Sequence, residues 1–303
     1  MTTVGITSPV PGAARRRRTR GRRALGAGSA LGLGLSMIWF SLLVLIPLVA
    51  VLISAAGLGL GGFWDIVTSP QTGAALEITV LESLAVTSVN ILLGTALAWV
   101  LVRDRFWGKR LLDIVIDVPF ALPTIVAGLV LLSLYGPRSP LGVNVANTRY
   151  AVFLALAFVT LPFVVRTVQP VLETLDRDVE EAAASLGASR LTTFGRIILP
   201  SLVPAIAAGA ALSFARAISE YGSLVLLSGN LPGRTEVASV RVLTYIENGN
   251  KAAAAAVAAI LLLVALAVIG FLDLLQRRLL TPRSASLRSP LRRDPERTAR
   301  RGN

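Results

Sequence analysis

The chain has 303 residues, of which 54% are hydrophobic and 16% charged, with a mean hydropathy of +0.70 and a formal net charge of +13. That balance describes a polytopic membrane protein rather than a water-soluble one. With neither Cys nor His, it excludes disulfides, thiolate nucleophiles, Cys- or His-ligated metals, Ser-His-Asp triads and histidine proton relays.

Residues 1–32 read as a basic tail carrying Arg15, Arg16, Arg17, Arg18, Arg20, Arg22 and Arg23. An arginine run before an apolar stretch resembles a signal peptide, with Ser54-Ala55-Ala56 in a cleavage-like position. The stretch 33–56 is too long for an ordinary signal core, so it is expected to stay as the first membrane helix. Five further spans are expected at 79–102, 112–135, 150–171, 200–226 and 252–275. At ~1.5 Å rise per residue they reach about 33–40 Å, enough for a ~30 Å hydrocarbon layer. Open strands are ruled out there because lipid cannot satisfy their backbone groups. The expected class is therefore all-α with six transmembrane helices: a core at 75–278, interrupted by a polar loop at 172–199, and a second basic tail at 279–303. Both tails are expected near anionic headgroups.

Lys and Arg fall unevenly about these spans, with 24 on one side, five on the other (Arg138, Arg149, Arg234, Arg241, Lys251) and Arg216 inside a span. The positive-inside rule puts both termini and the 172–199 loop in the cytoplasm. The basic charge is thus a topology signal, and no nucleic-acid partner is expected.

In the third span, Pro119 and Pro123 lie four apart. Each removes a backbone donor, so a kink or break is expected, serving either a translocation path or packing alone. Pro162, Pro170, Pro200 and Pro204 read as helix-end or entry features. Gly94, Gly128, Gly209 and Gly222 read as close helix contacts.

The polar loop divides into two short helices. Asp178 is expected to cap the first, Val179–Leu186, with Glu181 reaching back as in a capping box. Gly187 fits the left-handed position after its last turn. Ser189 is expected to cap a second helix, with Pro200 opening the next membrane helix. In that next span, Arg216 and Glu220 are four apart and share a face. Charges at this depth are costly, so a path or gate competes with an internal ion pair that only fixes packing.

No P-loop is present: Gly108-Lys109-Arg110 lacks the first Gly and the hydroxyl residue. Any ATP and Mg must be bound by another chain, and no cofactor is expected in this one.

Glu181, Ala182, Ala183, Gly187, Ile197, Leu199 and Pro200 together follow the pattern E-A-A, three residues, G, nine residues, I-x-L-P. This resembles the EAA loop of type I ABC-importer permeases, and the resemblance implies a coupling helix that seats on a separate ATPase subunit. From about 79 to 275 the chain is similar to the sulfate/thiosulfate permeases, through DVPFALPTIVAGL (117–129), LPFVVRTVQPVLE (161–173), ALSFARAISEYGS (211–223) and SGNLPGRTEVASV (228–240). Residues 230–235 also resemble the molybdate permeases, leaving molybdate or tungstate as the alternative cargo. The resemblance implies two ABC ATPase subunits, a homologous second permease and an extracytoplasmic sulfate-binding protein. A membrane-embedded enzyme or an ATPase-recruiting scaffold are the readings outside transport.

Overall fold

The computed structural model describes residues 27–280, and every regular element within them is helical. The tails expected at 1–32 and 279–303 lie outside the described residues, except that 27–32 and 279–280 are helical rather than tail.

The chain divides between Val49 and Ala50 into two units. Helices α1 (Ala27–Phe40) and α2 (Ile46–Ala56), joined through a π-turn at Ser41–Leu45, make one apolar run. Its first unit holds exposed Leu31, Leu35, Ile38 and Trp39. Such exposed apolar side chains suit lipid or a neighbouring protein, not water.

The second unit is a helical bundle built around α4 (Pro70–Arg103), α7 (Arg149–Thr174) and α10 (Leu199–Ile218). It continues through α13 (Lys251–Leu280). Among the described residues, five helices are long and apolar enough to cross a membrane. The pair α5 (Lys109–Ala121) and α6 (Thr124–Tyr135) is apolar enough to count as a sixth when taken together, and it turns by 119° at its junction, as a broken span or a re-entrant loop does.

Small residues set how closely the three central helices approach. A methyl at Gly94 of α4 would sit 2.8 Å from Val164 Cβ, and one at Gly209 of α10 would sit 2.9 Å from Val164 Cα. Two apolar clusters result. One gathers Val86, Val152, Leu156, Leu131 and Leu224; the other gathers Leu101, Val164, Val168, Leu172 and Leu202. Between them lies a polar knot. Buried Asn90 of α4 donates to Thr160 Oγ1 of α7 at 2.8 Å and to Ser213 Oγ of α10 at 3.3 Å. In a bilayer such interhelical bonds fix register without needing a hydrophobic driving force.

Several expectations are corrected here. Pro162, Pro170 and Pro204 lie inside helices rather than at their ends. Tertiary packing holds those helices together: Val164, Val165 and Val168 of α7 are completely buried. Pro200 stands in the first turn of α10, as expected, but α10 does not start from a loop. Arg190–Ile218 is one apolar helical run of 29 residues, and a π-turn at Phe194–Ile198 widens the ring just ahead of Pro200. The expected span 200–226 ends early, at Ile218, and the chain restarts as α11 (Gly222–Leu227). Two short helices, α3 (Gly59–Val67) and α12 (Ala238–Glu247), were not expected.

Candidate functional site

The polar loop folds as α8 (Arg177–Ser185) followed by α9 (Arg190–Thr193). Its cap differs from expectation. Asp176, not Asp178, accepts from the first free amide, that of Asp178, at 3.0 Å. Leu175 is extended after α7, so Asp176 is the first side chain that meets the new helix. Glu181 is thus two residues too late for a capping-box partner and remains exposed. Gly187 takes φ +80°, with open space where a Cβ would stand. Ser189 caps α9 by accepting from Thr192 N at 3.2 Å.

The sequence pattern becomes a surface through this geometry. Ala182 is exposed and Ala183 is buried, while Leu186 and Leu191 are 89% and 84% exposed on either side of Gly187. Ile197 and Leu199 are half-buried where the run enters the bundle, and Pro200 is exposed. Glu180 anchors α8, its Oε1 accepting from Arg103 at 2.6 Å. Arg103 also donates to Leu175 O, and Arg177 donates to Val102 O, each at 3.3 Å. The Arg103 guanidinium lies 5.9 Å from the Trp99 ring centroid, and Trp99 packs edge-on against Phe194 at 5.5 Å. The small helix α8 is therefore braced on the end of α4, with Leu186 just after it and Leu191 of α9 left uncovered.

The second constellation lies at the two broken spans. Leu122 is extended, as a residue before proline prefers, and Pro123 stands at the α6 N-terminus, so Pro123 makes the break. Pro119 remains inside α5. The α10–α11 break falls at Ser219–Tyr221, and Glu220 fills it. Only 1% exposed, Glu220 accepts at Oε1 from Ser223 N (2.9 Å) and Ser223 Oγ (3.0 Å), while Oε2 faces Arg216 at 2.5 Å. The breaks interlock. A methyl on Gly128 of α6 would lie 2.6 Å from Ser223 O, and one on Gly222 of α11 would strike Thr124 Oγ1 and approach Ile125 N to 2.9 Å. All four span glycines thus mark close contacts.

Depth follows from the polar knot. Thr160 lies about 16 Å along α7 from Arg149 at ~1.5 Å per residue, near the middle of a ~30 Å layer. Arg216 follows the knot residue Ser213 by about one turn.

Sequence reasoning missed a second charged cluster. Arg166, counted as a loop flank, lies within α7 and pairs with Asp113 and Asp117 of α5, each at 2.7 Å, and with Gln169 Oε1 at 2.6 Å. The signal was present as an Asp pair four apart in a nominally apolar span. Buried Glu236 was quoted only within its sequence run; its Oε2 accepts from Gln71 of α4 at 2.9 Å.

An all-helical bundle with interrupted spans and an exposed, braced helix after α7 defines a multi-pass transport permease. Residues 90–281 match the family described as binding-protein-dependent transport system inner membrane component. The chain belongs to that family, the type I ABC permeases. It is 44% identical over 239 residues to the sulfate transport system permease protein CysT of Synechocystis sp., covering 77% of this chain and 84% of that protein. It is 40% identical over 240 residues to CysT of Salmonella typhimurium, covering 77% and 87%. Among solved structures it is similar to a chain of a bacterial alginate ABC transporter in complex with an alginate pentasaccharide-bound periplasmic protein, at TM-score 0.67 and 18% identity, covering 82% of this chain and 93% of that one. At that identity the likeness speaks for the fold.

Proposed function

We propose that this chain is the membrane subunit of an ATP-driven importer of sulfate, with thiosulfate as a second substrate, in the cytoplasmic membrane with both termini inside. The observation that carries the cargo is the 40–44% identity to sulfate permeases across about three quarters of the chain. The braced, exposed helix supports the power input: Glu181, Ala182, Ala183 and Gly187, with Ile197, Leu199 and Pro200 at its root, dock on one of two ATPase subunits. A homologous second permease completes the pathway, and an extracytoplasmic binding protein delivers the anion.

In this reading ATP draws the ATPase pair together, and the coupling helices follow. The bundles rock from inward-open to outward-open, and hydrolysis reverses the motion. Because α8 is braced on α4, a push on α8 reaches the polar knot through one rigid helix. The Arg216–Glu220 pair, the break at Pro123 and Pro119 in the last turns of α5 lie along or beside the path. Arg216 is the chemically suited group there, since a guanidinium matches the charge and geometry of a tetrahedral oxyanion.

The test is uptake of labelled sulfate and labelled molybdate by cells lacking this gene, with and without the wild-type chain restored. Restored sulfate uptake with no gain in molybdate uptake is expected. Restored molybdate uptake without sulfate uptake overturns the cargo assignment.

A further inference from the structure

Beside the coupling loop, α4 and the Arg190–Ile218 run enclose an open groove of about 650 Å³. Its walls are apolar: Ile91, Ala96 and Val100 from α4, and Leu191, Phe194 and Ile206 opposite. Three polar groups break this pattern. Arg190 stands at the end next to the polar loop, exposed and without an ion-pair partner among the described residues. Trp99 lines the same end. About one turn deeper, Thr95 lines the groove, its hydroxyl oxygen buried and without a hydrogen-bond partner.

The order of these groups matches one kind of molecule. A cation at the mouth, an indole at the interface, a hydroxyl about 6 Å further in and an aliphatic slot beyond repeat the phosphate, glycerol-ester and acyl layers of a phospholipid. Thr in a helix divides between two χ1 rotamers, so its hydroxyl turns toward an ester carbonyl at small cost. The nearby carboxylates do not neutralise the mouth. Glu180 is held by Arg103 at 2.6 Å, and Glu181 and Asp104, on the adjoining cleft, are not ion-paired with Arg190. We infer that this groove binds one anionic phospholipid, its phosphate on Arg190 and an acyl chain between α4 and α10. The occupant would rest on Trp99 and Phe194, the ring pair that connects the groove to the Arg103–Glu180 brace. Headgroup charge would then bear on how firmly α8 is held.

The full-length chain in detergent, titrated with phosphatidylglycerol or with phosphatidylcholine of the same acyl chains and read by native mass spectrometry, tests this. One phosphatidylglycerol is expected to bind at about fivefold lower concentration than phosphatidylcholine, the preference a single Arg supplies. Arg190→Gln should erase that preference, and Ala96→Trp should remove the bound lipid of either kind, both with unchanged helical circular dichroism. Millimolar inorganic phosphate should not displace the lipid. Equal binding of the two lipids, a preference that survives Arg190→Gln, or displacement by inorganic phosphate would each overturn the site. So would loss of the lipid when the assembled transporter is measured, because the groove would then belong to a neighbouring subunit. None of these outcomes depends on which anion is transported.

Discussion

Gly187 and Glu220 illustrate two different ways a single residue matters. At Gly187 the backbone is left-handed but nothing crowds the α-carbon. A side chain there costs the fold only about 1–2 kcal/mol and places its bulk on the uncovered surface between Leu186 and Leu191. Glu220 is buried, and its carboxylate divides its work: Oε1 caps α11 while Oε2 balances Arg216. Glu220→Gln retains an oxygen for the Ser223 bonds and loses only the charge. Sulfate uptake by that variant is expected to fall at least tenfold with membrane levels near wild type, whereas Glu220→Ala should lower membrane levels too, as measured by immunoblot. Arg216→Ala should likewise reduce uptake more than it reduces folded protein in the membrane. Full activity of Arg216→Ala would leave the pair a packing device.

At the scale of elements, the broken spans are held by glycines facing backbone. Gly128→Ala drives a methyl to 2.6 Å from Ser223 O, and backbone cannot step aside as a side chain end does. A loss of about 1–3 kcal/mol is expected, measurable as a lower midpoint in thermal unfolding of the purified chain. Gly61→Ala, with no atom within 4 Å, is the control and should change the midpoint much less. The brace on α8 makes a separate prediction. Arg103→Ala removes the ion pair and one carbonyl bond, worth about 1–2 kcal/mol at this partly buried site. Amide exchange in α8 should quicken roughly tenfold while α7 remains protected.

These elements also mark what was legible beforehand. Long apolar runs, the span glycines, the Pro123 break and the Gly187 turn were all readable, because each depends on local composition or backbone restriction. The α8 cap was misplaced by two residues because Asp176 and Asp178 are equally good acceptors, and only the end of α7 decides between them. Pro162, Pro170 and Pro204 were misread because burial on several sides outweighs a missing donor. The helices α3 and α12 are short and amphipathic, so no hydropathy window reveals them. Arg166 was hidden by charge counting, which assigns an Arg to a loop without asking whether an Asp pair waits on the next helix.

For the whole molecule, the bundle connects an uncovered helix at one end to an ion pair near mid-depth through three helices locked by Asn90, Thr160 and Ser213. That continuity suits a device in which force enters at one surface and an anion passes elsewhere. The central claim is that the 172–199 loop is where ATP-derived force enters, and its most direct test is labelled-sulfate uptake by cells lacking this gene, complemented with wild-type chain or with Gly187→Asp. Since Gly187 is exposed and its replacement costs the fold little, the variant is expected to reach the membrane at wild-type levels and to restore less than about a tenth of the uptake, a coupling loss exceeding 1.4 kcal/mol. Wild-type uptake by Gly187→Asp, at equal membrane abundance, would contradict the account.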